Sequence, residues 1–298
     1  MSTSVWHVLG AGAIGGLFAS FMHENALPVT LILRQRSAAR IGLTREGLAP
    51  HYRFAANVTA PADPQPIRHL LVTTKAYDVV TALTSIAHRL TPNAQVVLMV
   101  NGMGLAEQVR SRLPQIQLTL ATTTEGAYTR APLRIVHAGH GQTRIGQQGQ
   151  GFAPQEIAEV VQAVPRCRWD ADIDHALWHK LIINCAINPL TALHHCRNGA
   201  LATDPHLTAK VEQLCEELAA VSLAAGYRDT AAGLRKDVMR VIANTADNRS
   251  SMLQDIDAGR CTEIESITGY LLQNARRYGV ATPANQALYD AIRDKVRP

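Results

Sequence analysis

The chain has 298 residues, which is long for one domain and comfortable for two. An apolar share of 47% is that of a globular protein with a substantial core, and no segment is apolar and long enough to cross a membrane. The formal net charge of +5 is not gathered into any Lys/Arg run, so the sequence argues against a nucleic-acid surface and leaves room for anionic ligands.

The first element predicted is a short buried strand through Val5, Val8 and Leu9. It runs into Gly10-Ala-Gly-Ala-Ile-Gly15, and an apolar helix follows over 13–24. Between a strand and a helix, Gly-x-Gly-x-x-Gly has a physical reading. Gly10 permits the tight turn, Gly12 lets a pyrophosphate approach the backbone, and Gly15 lets helix and strand pack closely. The helix N-terminus offers N–H groups and partial positive charge to phosphates. Gly10, Ala11, Gly12, Ala13, Ile14 and Gly15 are therefore candidate cofactor-binding residues.

A second strand, Val29–Leu33, leads into Arg34-Gln35-Arg36. NAD-binding units carry an acid at this point, about 20 residues beyond the glycines, to hold the ribose hydroxyls. An arginine instead suits a 2′-phosphate, which it can grip with paired charged hydrogen bonds. Arg34 thus points to NADP(H), with Arg36 as an auxiliary; two solvated loop arginines are the alternative.

Further strands are predicted at 69–74, 95–100, 118–122, 133–137 and 142–145, with helices over 79–90 and 154–164. This alternation marks a mostly parallel sheet wrapped by helices. Beyond Asp170 only helical spacing remains, at 176–193, 207–225, 232–257 and 263–278. The expected fold class is α/β, a Rossmann-type domain over 1–169 followed by an all-helical domain over 170–298. Substrate is expected in the cleft between them.

Two predicted strands end in polar residues, Thr73-Thr74-Lys75 and Asn101-Gly-Met-Gly104. Lys75 could reach the cofactor and Asn101 a nicotinamide ribose or substrate; a surface lysine and a plain Asn-Gly turn are the alternatives. Lys180, Asn184 and Asn188 recur every fourth residue and share one stripe of a helix that Pro189 should kink or end. Such a row in apolar surroundings needs partners, from neighbouring backbone or from a polar substrate. Asn248, Ser251 and Asp255 form a second stripe on the helix predicted over 232–257. Gly259 offers a stop, and Thr262–Glu265 is a capping-box pattern that places Glu263 in a first turn.

The five cysteines, Cys167, Cys185, Cys196, Cys215 and Cys261, are scattered and include no Cys-x-x-Cys pair. They read as reduced thiols of a cytoplasmic protein without structural zinc. The apolar N-terminus lacks the basic region of a signal peptide.

In order, Gly10–Gly15, Thr74-Lys75-Ala76, Asn101–Gly104, Lys180-x-x-x-Asn184-x-x-x-Asn188-Pro189 and Ser250–Asp255 leading to Thr262-Glu263 resemble the ketopantoate reductases, or 2-dehydropantoate 2-reductases. The resemblance runs from Val8 to about Ala281. It implies NADPH-dependent reduction of 2-dehydropantoate to (R)-pantoate, on the route to pantothenate and coenzyme A. It also implies Lys180 as proton donor, and substrate contacts at Asn184, Asn188, Asn198 and Ser251 with Asn248 alongside. Asn101 would touch cofactor and substrate, and Lys75, Ala127 and Glu263 the cofactor. Glu125 adds a charge in the expected nicotinamide loop, facing in an undetermined direction. The sequence calls for no metal, and a monomer or a homodimer is equally compatible with it. Two rival readings are a related NADP-dependent 2-oxoacid reductase and a non-catalytic NADPH-binding regulator; a regulator would have no use for Lys180 in line with two carboxamides.

Overall fold

The computed structural model describes residues 5–35 and 38–296, so Arg36 lies outside the described residues. The chain forms two compact units. One holds the chain through Val100 together with Leu105–Ala176; the other holds Asn101–Gly104 and the chain from Leu177 onward.

The first unit contains β1 (Trp6–Leu9), α1 (Ala13–Glu24), β2 (Val29–Ile32), β3 (Arg40–Gly47), β4 (Tyr52–Thr59), β5 (Ile67–Val72), α2 (Val79–Ile86), β6 (Leu90–Met99), α3 (Leu105–Arg112), β7 (Gln117–Thr123), β8 (Gly126–Ala131), β9 (Arg134–Gly139), β10 (Thr143–Gly146), α4 (Gln155–Ala163) and β11 (Cys167–Trp169). All its strands join one sheet in the order β11-β10-β7-β6-β5-β1-β2-β4-β3-β9-β8. Pairings β10–β7, β3–β4 and β8–β9 are antiparallel and the others parallel. Every residue of β1 is buried, as expected of a central parallel strand covered on both faces.

α1 buries Leu17, Phe18, Phe21 and Met22, each such side chain contributing about 1.5–3 kcal/mol by leaving water. It packs against β3, β8 and β9 as well as β1, so the sheet wraps around it. Arg45 on β3 is fully buried in that wrap. Its guanidinium bonds Glu24 at 2.8 Å and the Pro50 carbonyl at 3.0 Å, and it lies over the rings of Phe21 and Tyr52. A buried cation is tolerable only when paired and hydrogen-bonded in this way.

α5 (Ile173–His194) carries the chain into the second unit, which continues with α6 (Ala200–Thr203), α7 (Pro205–Ala224), α8 (Arg228–Asn244), α9 (Ser251–Asp257), a π-helical turn at Glu265–Gly269, α10 (Tyr270–Tyr278) and α11 (Pro283–Val296). Ile182, Cys185, Val211, Leu218, Val238 and Leu271 are among its fully buried core residues. Asp204 caps α7 by accepting the N–H groups of His206 and Leu207, with Pro205 in the first turn. The five cysteines are free, and no helix among the described residues is long and apolar enough to cross a membrane.

Several local expectations fail for physical reasons. Pro189 does not end its helix: α5 runs on to His194 with Pro189 inside it. Burial of Ile187, Leu190 and Ala192 around the proline outweighs the loss, about 3 kcal/mol, of one backbone bond. The single helix predicted over 232–257 is two, because the chain breaks after Asn244 and α9 restarts behind Ser250, whose hydroxyl accepts the Leu253 N–H. Asn248, Ser251 and Asp255 therefore do not share one helix face; Asn248 precedes α9, and Asp255 is buried against Arg260. Thr262 is not an N-cap either, since the next turn starts at Glu265 behind Ile264 without a side-chain cap. The β3–β4 hairpin, α3, β8, β11, α6 and α11 are absent from the sequence-based outline.

Candidate active site

In the first unit the glycine turn has the geometry its residue types demand. Gly10 has φ +99°, and a Cβ there would sit 2.6 Å from the Thr74 backbone nitrogen. A Cβ on Gly15 would lie 2.2 Å from the Gly10 carbonyl oxygen, so this glycine sets how closely α1 meets the strand end. At Gly12 a Cβ would meet nothing within 4 Å. Close packing therefore requires Gly10 and Gly15, whereas the chain's own atoms leave open space beside Gly12. Ala11, Ala13 and Ile14 complete the turn and the first residues of α1, whose first turn has no acidic residue and no side-chain cap. The Thr73 hydroxyl donates to the Gly10 carbonyl at 2.8 Å, while the Thr74 hydroxyl is buried without a hydrogen-bond partner. These features suit a dinucleotide phosphate: backbone donors, open space and an unsatisfied hydroxyl meet at one turn.

Arg34 follows β2 and is exposed; its guanidinium bonds Asp78 at 2.9 Å. Lys75 is half-buried in the segment after β5, just ahead of a short helical turn at Ala76–Asp78. Ala127 lies on β8 opposite His137 of β9. Glu125 is fully buried, accepting from His137 Nε2 at 2.6 Å and from Arg166 at 3.3 Å. Its charge is thus met inside the first unit.

In the second unit Lys180, Asn101 and Glu263 form a continuous chain. Lys180 Nζ donates to Asn101 Oδ1 at 3.0 Å, and Asn101 Nδ2 donates to Glu263 Oε2 at 3.0 Å. Glu263 is buried ahead of the π-helical turn, not in a helix first turn. Burial pulls the Lys180 ammonium down to about 8, against the upward pull of the Glu263 charge. The group is still mostly charged at pH 7, yet closer than an ordinary lysine to giving up a proton.

Asn184 and Asn188 continue the Lys180 stripe along α5, Asn188 buried and Asn184 half-buried. Asn198 is joined to Asn248 by a backbone bond of 3.0 Å, and its Nδ2 donates to the Thr245 hydroxyl. Its Oδ1 is buried without a partner. Ser251 opens α9 and is exposed; its neighbour Ser250 accepts from the Thr191 hydroxyl at 2.7 Å, which ties α9 to α5. Thr191 escapes a sequence reading because it belongs to no polar stripe, and Ser250 enters one only as the first residue of the Ser250–Asp255 motif.

A glycine-turn Rossmann-type unit and a helical unit bearing a half-buried lysine held by an amide are the parts of a dinucleotide-fold oxidoreductase. Family models described as ketopantoate reductase PanE/ApbA match residues 6–150, and its C-terminal part matches 172–296. A 2-dehydropantoate 2-reductase from Vibrio cholerae serotype O1 is 38% identical over 289 residues, covering 96% of each chain. The fold is also that of a PanE/ApbA family ketopantoate reductase from Ralstonia eutropha JMP134, with TM-score 0.85, 24% identity and 98% of both chains covered. A D-mandelate dehydrogenase solved with NADH and anilino(oxo)acetate shares it too, with TM-score 0.81 and 21% identity over 98% of both chains. The chain belongs to the ketopantoate reductase family.

Proposed function

We propose that the chain reduces 2-dehydropantoate to (R)-pantoate with NADPH, in the synthesis of pantothenate and coenzyme A. Residues 1–169 would bind the cofactor and 170–298 the substrate. The observation that carries the reading is the Lys180–Asn101–Glu263 chain, in a family whose relatives bear the name of this reaction.

NADPH, when bound, supplies a hydride to the C2 carbonyl of the substrate. Gly10–Gly15 receive the pyrophosphate, Arg34 and Lys75 meet the 2′-phosphate end, and Ala127, Asn101 and Glu263 contact the cofactor elsewhere. As negative charge grows on the carbonyl oxygen, the Lys180 ammonium stabilises it and delivers its proton from Nζ. Asn101 holds Lys180 through Oδ1, and the Glu263 charge favours the ammonium over the amine. Asn184, Asn188, Asn248 and Ser251 offer neutral donors to the carboxylate, so no competing acid enters the site. Asn198 Oδ1, buried and unpartnered, is an acceptor for the substrate hydroxyl.

The test is NADPH oxidation by purified protein with a panel of 2-oxoacids. Ketopantoate should have the highest kcat/KM and give (R)-pantoate. Preference for another 2-oxoacid would assign a different substrate, and turnover of none would leave a nucleotide-binding regulator.

A further inference from the structure

Asn101 contacts both Lys180 and Glu263, and it stands at the start of a glycine loop. The loop departs from β6 through two left-handed glycines, Gly102 at φ +86° and Gly104 at φ +89°. What holds it is the π-helical turn Glu265–Gly269. The Met103 N–H donates to the Ser266 carbonyl at 3.0 Å. The Ser266 hydroxyl stands 3.1 Å from the Glu263 carbonyl and 3.4 Å from that of Asn101, and can donate to either. A Cβ on Gly102 would fall 2.3 Å from the Ser266 carbonyl oxygen and 2.6 Å from Ser266 Cβ. One on Gly104 would fall 2.8 Å from the Tyr270 ring.

The loop that follows Asn101 is therefore pressed onto the first two turns after Glu263, without room for a methyl group at Gly102 or Gly104. A π-turn inside a run of helix widens the backbone locally and is frequent at functional sites. Here it brings one serine against the backbone of Asn101 and that of Glu263, one of the two residues that grip the Asn101 amide.

We propose that Ser266 is a positioning residue of the active site: from its π-turn it seats Asn101, and the backbone of Glu263, so that the Asn101 amide bridges Lys180 and Glu263. This rests on the functional reading above. Ser266 would itself touch neither substrate nor cofactor. Its effect runs through the Asn101 carboxamide, whose displacement by about 1 Å costs a positioned reaction up to a hundredfold.

A double-mutant cycle in the full chain tests it, measuring kcat for ketopantoate with saturating NADPH. Ser266→Ala should lower kcat about tenfold in the wild-type background but less than about twofold in the Asn101→Ala background, since residues acting as a unit are not additive. Ser266→Thr, which keeps the hydroxyl, should recover most of the loss. The same factor in both backgrounds would overturn the proposal, because a merely structural serine costs equally with or without Asn101. Absence of ketopantoate turnover by the wild type would instead strike the functional reading. In that event the Lys180 titration, followed by NMR on 13C-labelled lysine, still decides. Its midpoint, near 8 in the wild type, should move to lower pH in Ser266→Ala as the Asn101 acceptor is displaced, and not in Ser266→Thr. An unmoved midpoint in Ser266→Ala would overturn the positioning role.

Discussion

Lys180 Nζ and Asn101 Oδ1 meet at 3.0 Å, joining a helix stripe to a glycine loop 79 positions away in the chain. An amide oxygen accepts from the ammonium without competing for its proton, so the pair orients the lysine and leaves it an acid.

The pH dependence of activity should follow that lysine. Its ammonium form is lost as pH rises through about 8, so kcat should decline above that value instead of holding to about 10. Glu263→Gln removes the charge that favours the ammonium and should move the decline to lower pH. A profile flat from pH 7 to about 10 would point to another proton donor.

Stability carries the opposite signature. Lys180 titrates at about 8 folded against 10.5 as a free side chain, so between those values the unfolded chain holds more protons and the wild type gains stability as pH rises. Lys180→Met has no such term. Its Tm should therefore rise less than that of the wild type through this window. Parallel Tm-against-pH curves for the two proteins would contradict the lowered value.

The glycine turn separates folding from binding. Gly15→Ala places a methyl group on the Gly10 carbonyl and should lower Tm markedly. At Gly12 the chain leaves open space, so Gly12→Ala should keep Tm nearly unchanged while weakening NADPH by about tenfold or more. Calorimetric titration of the folded Gly12→Ala protein decides; unchanged affinity would remove the pyrophosphate from this turn.

Cofactor choice should depend on Arg34, whose exposed guanidinium bonds Asp78. Arg34→Ala should weaken NADPH relative to NADH by about 1.5–3 kcal/mol, the scale of a lost charged hydrogen-bond pair. A preference that survived the change would place the 2′-phosphate elsewhere.

Much of the fold was legible because it follows from local pattern. The bounds of α1, Ala13–Glu24, lie where apolar spacing and the glycine turn put them. The β3–β4 hairpin was not legible: a fully buried arginine is unexpected in a strand, and it is the long-range pairing of Arg45 with Glu24 that accounts for it. The Lys180 stripe is visible in sequence, but its meeting with Asn101 is not, and Asn101 and Glu263 stand 162 positions apart. Thr262–Glu265 has the letters of a capping box, yet the Asn101 contact and a π-turn take Glu263 out of the helix. Local rules gave way where tertiary contacts assemble the site.

The most direct test is a single-turnover measurement of NADPH oxidation by ketopantoate, comparing the wild type with Lys180→Ala at pH 7 and saturating cofactor. The account predicts that Lys180→Ala binds NADPH as the wild type does but reacts roughly a hundredfold or more slowly, the usual scale for a lost general acid. A near-wild-type rate in Lys180→Ala would contradict it.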